Sequence, residues 1–232
     1  MTQLLGLVKS LVLIGILEIV PTAIAATAAE SQLPKPPNTG TPTGNPTPAT
    51  TRSPVTCPKT DKPVTALIAN NHKDYTTKEY PTLWFYIPYY SSGEIRQLEF
   101  VLLDGAERQT IYRTGVKLSQ KPGFIAITVP ANAQYALQPL KTYRWYLMLD
   151  CQNDPDDEPA LVVNGWITRL AEGSTQANSL WYDKINDLAK DYFTDPNNQT
   201  IHENWVMLLQ SLGYTWLIEE PLANSTLTTP LY

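Results

Sequence analysis

From Pro81 to Leu170 apolar and polar residues alternate with a period of two, the signature of strands buried on one side. The pattern predicts strands over Pro81 to Tyr90, Ile95 to Asp104, Gln109 to Leu118, Gly123 to Pro130, Thr142 to Cys151 and Leu161 to Leu170. In the first of these Leu83, Phe85 and Ile87 share one face and Trp84, Tyr86 and Tyr90 the other; in the second Leu98, Phe100 and Leu102 fall together. Gly105, Pro122-Gly123 and Pro139 punctuate the series as turns. After Leu170 the period becomes helical. Trp181, Ile185, Leu188 and Tyr192 recur at steps of four, three and four, and Ile201, Trp205, Leu208 and Leu212 do the same. The first helix should stop before Asp195-Pro196; the second should open on a Thr200–Glu203 capping box and close at Gly213. Such a hairpin cannot bury its two apolar stripes alone, so it should pack on the strands or on a partner.

The N-terminal region has neither period. Lys9 precedes an apolar run from Leu11 to Leu17, followed by Pro21 and by small residues offering Ala23-Ile24-Ala25 and Ala26-Thr27-Ala28 as cleavage signatures. Residues 1–28 therefore read as a signal peptide; Glu18 in the apolar region keeps an uncleaved membrane anchor as the alternative. Residues 31–56 hold seven prolines and seven threonines, a composition that cannot bury enough surface to offset its ordering entropy. The expected organisation is a signal peptide (1–28), a disordered Pro/Thr-rich linker (29–56), a β-sandwich (57–171), a helical hairpin packed on it (172–222) and a tail (223–232).

Composition narrows the picture. The 232 residues carry 17 Lys+Arg against 22 Asp+Glu, a net charge of -5, so nothing draws the chain to phosphate backbones and nucleic acid is not an expected partner. Twenty prolines and 17% charged residues argue against a helical bundle. Two cysteines, Cys57 and Cys151, in an exported chain suggest one disulfide stapling the start of the fold to the end of a central strand.

One motif refines the fold. Leu137-Gln138-Pro139-Leu140-Lys141-Thr142-Tyr143 resembles the tyrosine corner of immunoglobulin-like and fibronectin type III sandwiches, in which the tyrosine hydroxyl bonds back to the backbone at the turn into a strand. The expected fold class is thus mainly β, an antiparallel immunoglobulin/fibronectin-III-like sandwich followed by a C-terminal helical hairpin, with Tyr143, Trp145, Leu147 and Leu149 facing the core.

Candidate chemistry is sparse. His72 and His202 stand far apart, and His202-Glu203 lacks the second histidine of a zinc-protease motif because Val206 takes its place. No nucleophile elbow, phosphate loop or dinucleotide fingerprint occurs, so no catalytic residue, metal or cofactor is assigned. Asp154, Asp156, Asp157 and Glu158 begin like a calcium loop, but Pro159 stands where glycine is required; a solvated hairpin loop is the simpler reading. The surplus is aromatic: Trp84, Tyr86 and Tyr146, with Arg144 beside the last, lie opposite the core positions and form either a ligand platform or the face that the helices cover. Two function classes follow. One is a noncatalytic module of the cell envelope, periplasmic or secreted, binding a protein or glycan partner. The other is a hydrolase of cell-wall or exported polysaccharide working through paired carboxylates.

Taken in order, Tyr80-Pro-Thr-Leu-Trp-Phe-Tyr-Ile-Pro-Tyr89, Glu99-Phe-Val-Leu, Tyr112-Arg-Thr, Pro122-Gly, Tyr143-Arg-Trp145, Cys151, Gly165-Trp166-Ile and Leu180-Trp-Tyr-Asp183 resemble a cyanobacterial family known as domain of unknown function 928. The resemblance runs from about Val64 to about Leu222. It implies an exported protein with this strand-then-helix order and brings no catalytic residues with it.

Overall fold

The structure is a computed structural model that describes residues 49–50, 57–69, 74–91, 94–151, 159–174, 180–223 and 226–230. The expected signal peptide, most of the expected linker, His72 and the acidic stretch Asp154 to Glu158 lie outside these residues. Among the described residues ten strands occur: β1 (Ala49–Thr50), β2 (Thr65–Ala66), β3 (Tyr75–Thr76), β4 (Thr82–Ile87), β5 (Ile95–Asp104), β6 (Thr110–Lys117), β7 (Gly123–Thr128), β8 (Thr142–Cys151), β9 (Leu161–Arg169) and β10 (Thr226–Pro230). Two helices, α1 (Trp181–Thr194) and α2 (Gln199–Ser211), precede β10. The protein is mainly β, with both helices near its C-terminal end.

The strands form two sheets. The larger runs β1-β9-β8-β5-β6-β10, with β3 also pairing β9; the smaller runs β2-β4-β7. Every pairing is antiparallel except β3 with β9, which is parallel, so the wholly antiparallel expectation is corrected to a mixed larger sheet. Two expected boundaries also change. Ala49–Thr50, inside the expected linker, pairs with Val162 and Leu161, and Thr226–Pro230, inside the expected tail, lines up along β6.

The sheets share one core. Leu83, Phe85 and Ile87 of β4 meet Leu98, Phe100 and Leu102 of β5 and Trp145, Leu147 and Leu149 of β8. Phe85 packs edge-on against Trp145 with ring centroids 5.4 Å apart. At the turn into β8 the Tyr143 hydroxyl accepts the Gln138 backbone N–H at 2.7 Å, the contact expected of the corner motif. Cys57 and Cys151 are joined, with Cα atoms 5.4 Å apart, tying the segment before β2 to the last residue of β8.

The opposite face of β4 is also buried, which is why all six of its residues are inaccessible. Trp84 and Tyr86 enter a second core with Phe124, Ile185, Ala189, Trp205 and Leu209, so the helices cover the smaller sheet. The buried stripe of α1 is Tyr182, Asp183, Ile185, Asn186 and Ala189, one step round from the stripe that the sequence period suggests. The α2 cap is likewise displaced: Asn198 Oδ1 accepts the Ile201 N–H at 3.3 Å, and Glu203 bonds Gln199 in place of closing a box with Thr200. Gly213, at φ +79°, ends α2 with its N–H on the Gln210 carbonyl and the Tyr214 N–H on Leu209, as a left-handed C-cap requires.

Candidate functional site

Four residues were singled out from sequence as one aromatic face, and the structure divides them. Trp84 and Tyr86 lie on the smaller sheet under the helices. Trp84 stacks on Phe193 at 5.6 Å with an interplanar angle of 17°, and its indole N–H donates to Asn186 Oδ1 at 3.3 Å. Tyr86 packs edge-on against Phe124 and Trp216. Arg144 and Tyr146 belong instead to β8 of the larger sheet, on the side opposite the core-facing Trp145 and Leu147. The single-face expectation fails because alternation tells which side of a strand a residue takes but not which sheet the strand joins.

The Arg144 cluster is built by strand register. Arg144 pairs with Trp166 across β8 and β9, and Tyr146 with Asn164, so all four side chains project from the same side. The guanidinium carbon lies 4.5 Å from the Trp166 ring and 5.2 Å from the Tyr146 ring. Its Nη2 donates to Asn164 Oδ1 at 2.6 Å and its Nε to the Tyr146 hydroxyl at 3.3 Å. Tyr146 in turn donates to Glu107 Oε2 at 2.7 Å, and the nearest Glu107 oxygen stands 3.8 Å from Arg144 Nε. Burial, reinforced by the Glu107 hydrogen bond, raises the Tyr146 phenol above its ordinary range and keeps it protonated as a donor. Glu107 reaches this position from the β5–β6 turn, where it holds φ +57° although it is not glycine. That turn is organised by Asp104, whose carboxylate accepts the Arg108 and Gln109 N–H groups at 2.7 Å and is held below its usual range by them. Arg144 Nη1 and Trp166 Nε1 are buried without a hydrogen-bond partner.

A second polar concentration joins α1 to the sheets. Trp145 Nε1 donates to the Tyr182 hydroxyl at 2.8 Å, and that hydroxyl donates to the Trp166 carbonyl at 3.0 Å. Asp183 accepts from Thr76 Oγ1, from the Thr77 N–H at 2.9 Å and from Thr77 Oγ1 at 2.7 Å. Asp74 is buried, accepts the Ala69 N–H at 3.1 Å and forms a bridge with Leu180 at the start of α1. Burial pushes its carboxyl up to about 7, against the lowering influence of the Ala69 N–H. None of these partners was visible in the sequence, because Asp74, Asp183 and Asn186 look like solvent positions until β3 and α1 are brought together.

Three further carboxylates form ion pairs. Glu99 forms a bidentate pair with Arg113 at 2.6 and 2.8 Å, Asp150 meets Arg96 at 3.2 Å, and Glu220 binds Lys62. Among the described residues no three His, Cys, Asp or Glu side chains gather as metal ligands. His202 lies half-buried on α2, its ring 5.9 Å from that of Tyr192. A polar groove of about 480 Å³ opens beside the β5–β6 turn, lined in part by Gln109, Gln134, Gln138 and Lys141. Among the described residues no helix is long and apolar enough to cross a membrane.

A family model described as Domain of Unknown Function (DUF928) matches residues 47–180 and 174–222. No curated protein and no solved structure matches the chain.

Proposed function

The chain belongs to the DUF928 family, and from that premise we propose that it is an exported, noncatalytic binding module of a cyanobacterial cell envelope. The observation that carries this reading is the Arg144 cluster. A guanidinium, two aromatic rings, an amide and a carboxylate are assembled on the side of the larger sheet opposite the shared core, with Arg144 and Trp166 buried and Tyr146, Asn164 and Glu107 at the accessible edge. Such a mixture of cation, rings and amide is suited to recognition. The hydrolase reading has no comparable support, since the carboxylates described above are each tied to a structural donor.

Export is supported by the N-terminal signal pattern and by the paired cysteines, which suit an oxidising compartment. Within this proposal the scaffold is of the fibronectin type III kind. Its support is the partition of β2, β4 and β7 into one sheet and β6, β5, β8 and β9 into the other, together with the Tyr143–Gln138 contact. Cell fractionation with N-terminal sequencing and affinity capture tests the proposal. A mature chain starting after Ala25 or Ala28, oxidised at both cysteines and retaining an envelope component, is expected. A reduced chain in the cytoplasmic fraction overturns the reading, and a chain beginning at Met1 in membranes replaces secretion with anchoring.

A further inference from the structure

The outer edge of β9 is covered at both ends and open between them. β1 pairs with Leu161 and Val162 and β3 with Thr168 and Arg169, so residues 163–167 have no strand on that side among the described residues. The direction of each backbone group follows from the register. Arg169 donates to the Lys141 carbonyl and Thr168 to that of Asp74, so the odd-numbered residues of β9 bond β8 and the even-numbered ones face outward. Within the opening the outward groups are therefore those of Asn164 and Trp166. The Trp166 carbonyl accepts the Tyr182 hydroxyl at 3.0 Å. The Asn164 N–H and carbonyl have no partner among the described residues, and Asn164 is only half-buried.

β1 fixes what can close this gap. Ala49 opposite Val162 and Thr50 opposite Leu161 set an antiparallel register, and continuing it places residue 48 opposite 163 and residue 44 opposite 167. The chain immediately before β1 reads Gly44-Asn45-Pro46-Thr47-Pro48. In that register the bonding positions fall on Thr47, opposite Asn164, and on Asn45, opposite Trp166, each with an N–H to give. Pro46 and Pro48 fall where the missing N–H would point away from β9, the place an edge strand tolerates proline. A slip by one residue would put both prolines on bonding positions, so the sequence rejects the neighbouring registers. The faces agree as well: Pro46 and Pro48 take the side of the core residue Val163, and Asn45 and Thr47 the side of Asn164.

We propose that residues 45–48 dock on the open edge of β9 as a continuation of β1. The occupant of the edge is thus the chain's own Pro/Thr-rich segment, and the spacer proper lies before Gly44. There the chain turns away, because Thr168, the next outward residue, is already held by Asp74. Docking covers backbone groups that would otherwise invite strands from other molecules, and it makes the tether leave the body at the β3 end of β9.

The test is amide hydrogen exchange by nuclear magnetic resonance on the exported, disulfide-intact chain. The Asn164 amide should exchange about tenfold more slowly in the parent than in Thr47→Pro, which removes the N–H from the bonding position. Pro46→Thr returns an N–H on the side away from β9 and should leave the Asn164 rate unchanged. An Overhauser contact between the α-protons of Pro48 and Val163, which meet as a non-hydrogen-bonded pair in this register, is expected in the parent. Equal Asn164 rates in the parent and Thr47→Pro, equal acceleration by both substitutions, or no Pro48–Val163 contact overturns the proposal. The contact arising only between differently labelled copies gives the edge to a second molecule's segment and overturns it too.

Discussion

Truncating Trp84 to alanine removes the ring on which the smaller sheet and the helices meet. A tryptophan of this kind buries about 200 Å², which at ~25 cal/mol per Å² corresponds to ~5 kcal/mol as an upper bound. Its stacking on Phe193 adds ~1 kcal/mol, and leaving Asn186 Oδ1 without the indole N–H costs about 1–3 kcal/mol more. Partial collapse of the site and entry of water offset part of that sum. The expected loss is therefore about 3–5 kcal/mol, the range usual for large aromatic truncations in cores. With a urea m-value near 2 kcal/mol/M the unfolding midpoint should fall by roughly 2 M. A double-mutant cycle with Phe193→Ala isolates the contact between the layers and should return a coupling of about 0.5–1.5 kcal/mol. An unchanged midpoint, or zero coupling with both single variants destabilised, would refute the claim that the helices dock through this face.

Three further perturbations test other joints of the fold. Replacing Cys57 and Cys151 by serine opens a link spanning 94 residues and should cost on the order of 4 kcal/mol; an unfolding midpoint equal to the parent's contradicts the staple. Gly165→Ala places a Cβ about 2.3 Å from Trp145 Cζ2 of a ring held by Tyr182, so a loss of ~2–3 kcal/mol by denaturant unfolding is expected. Burial raises the Asp74 carboxyl from 3.8 to about 7, so the native state holds a proton there that the unfolded chain releases. Its contribution is fully present below about pH 4 and is lost as pH rises through 7, by at most roughly 4 kcal/mol. Asp74→Asn, which keeps an acceptor for Ala69, should flatten the stability profile between pH 4 and 8; a profile identical to the parent's contradicts the assignment.

The long strands were legible because each carries at least six residues of alternating pattern, and β4 through β9 begin and end within three residues of expectation. β1, β2 and β3 were not, since a two-residue strand has no period and exists only because a neighbour offers hydrogen bonds. β10 runs along β6 from a segment with no core pattern of its own. The disulfide followed from counting cysteines, and the Tyr143 corner from a local motif. The Arg144 site was half legible. Alternation along β8 put Arg144 beside Tyr146, and the same rule along β9 aligns Asn164 with Trp166. Joining the two pairs needs the inter-strand register, and adding Glu107 needs the conformation of a turn. Asp183 and Asn186 were hidden for a related reason: they occupy the buried side of α1 as hydrogen-bonding groups, where a reading based on apolar spacing assigns them to solvent.

The central claim, binding without turnover, is tested most directly by incubating the purified, disulfide-intact protein with isolated envelope polysaccharide. Sedimented protein and newly formed reducing ends are then measured on the same sample. Saturable cosedimentation with reducing ends at the level of the polymer alone is the result this account predicts. Reducing ends that accumulate in proportion to protein and time would contradict it and restore the hydrolase.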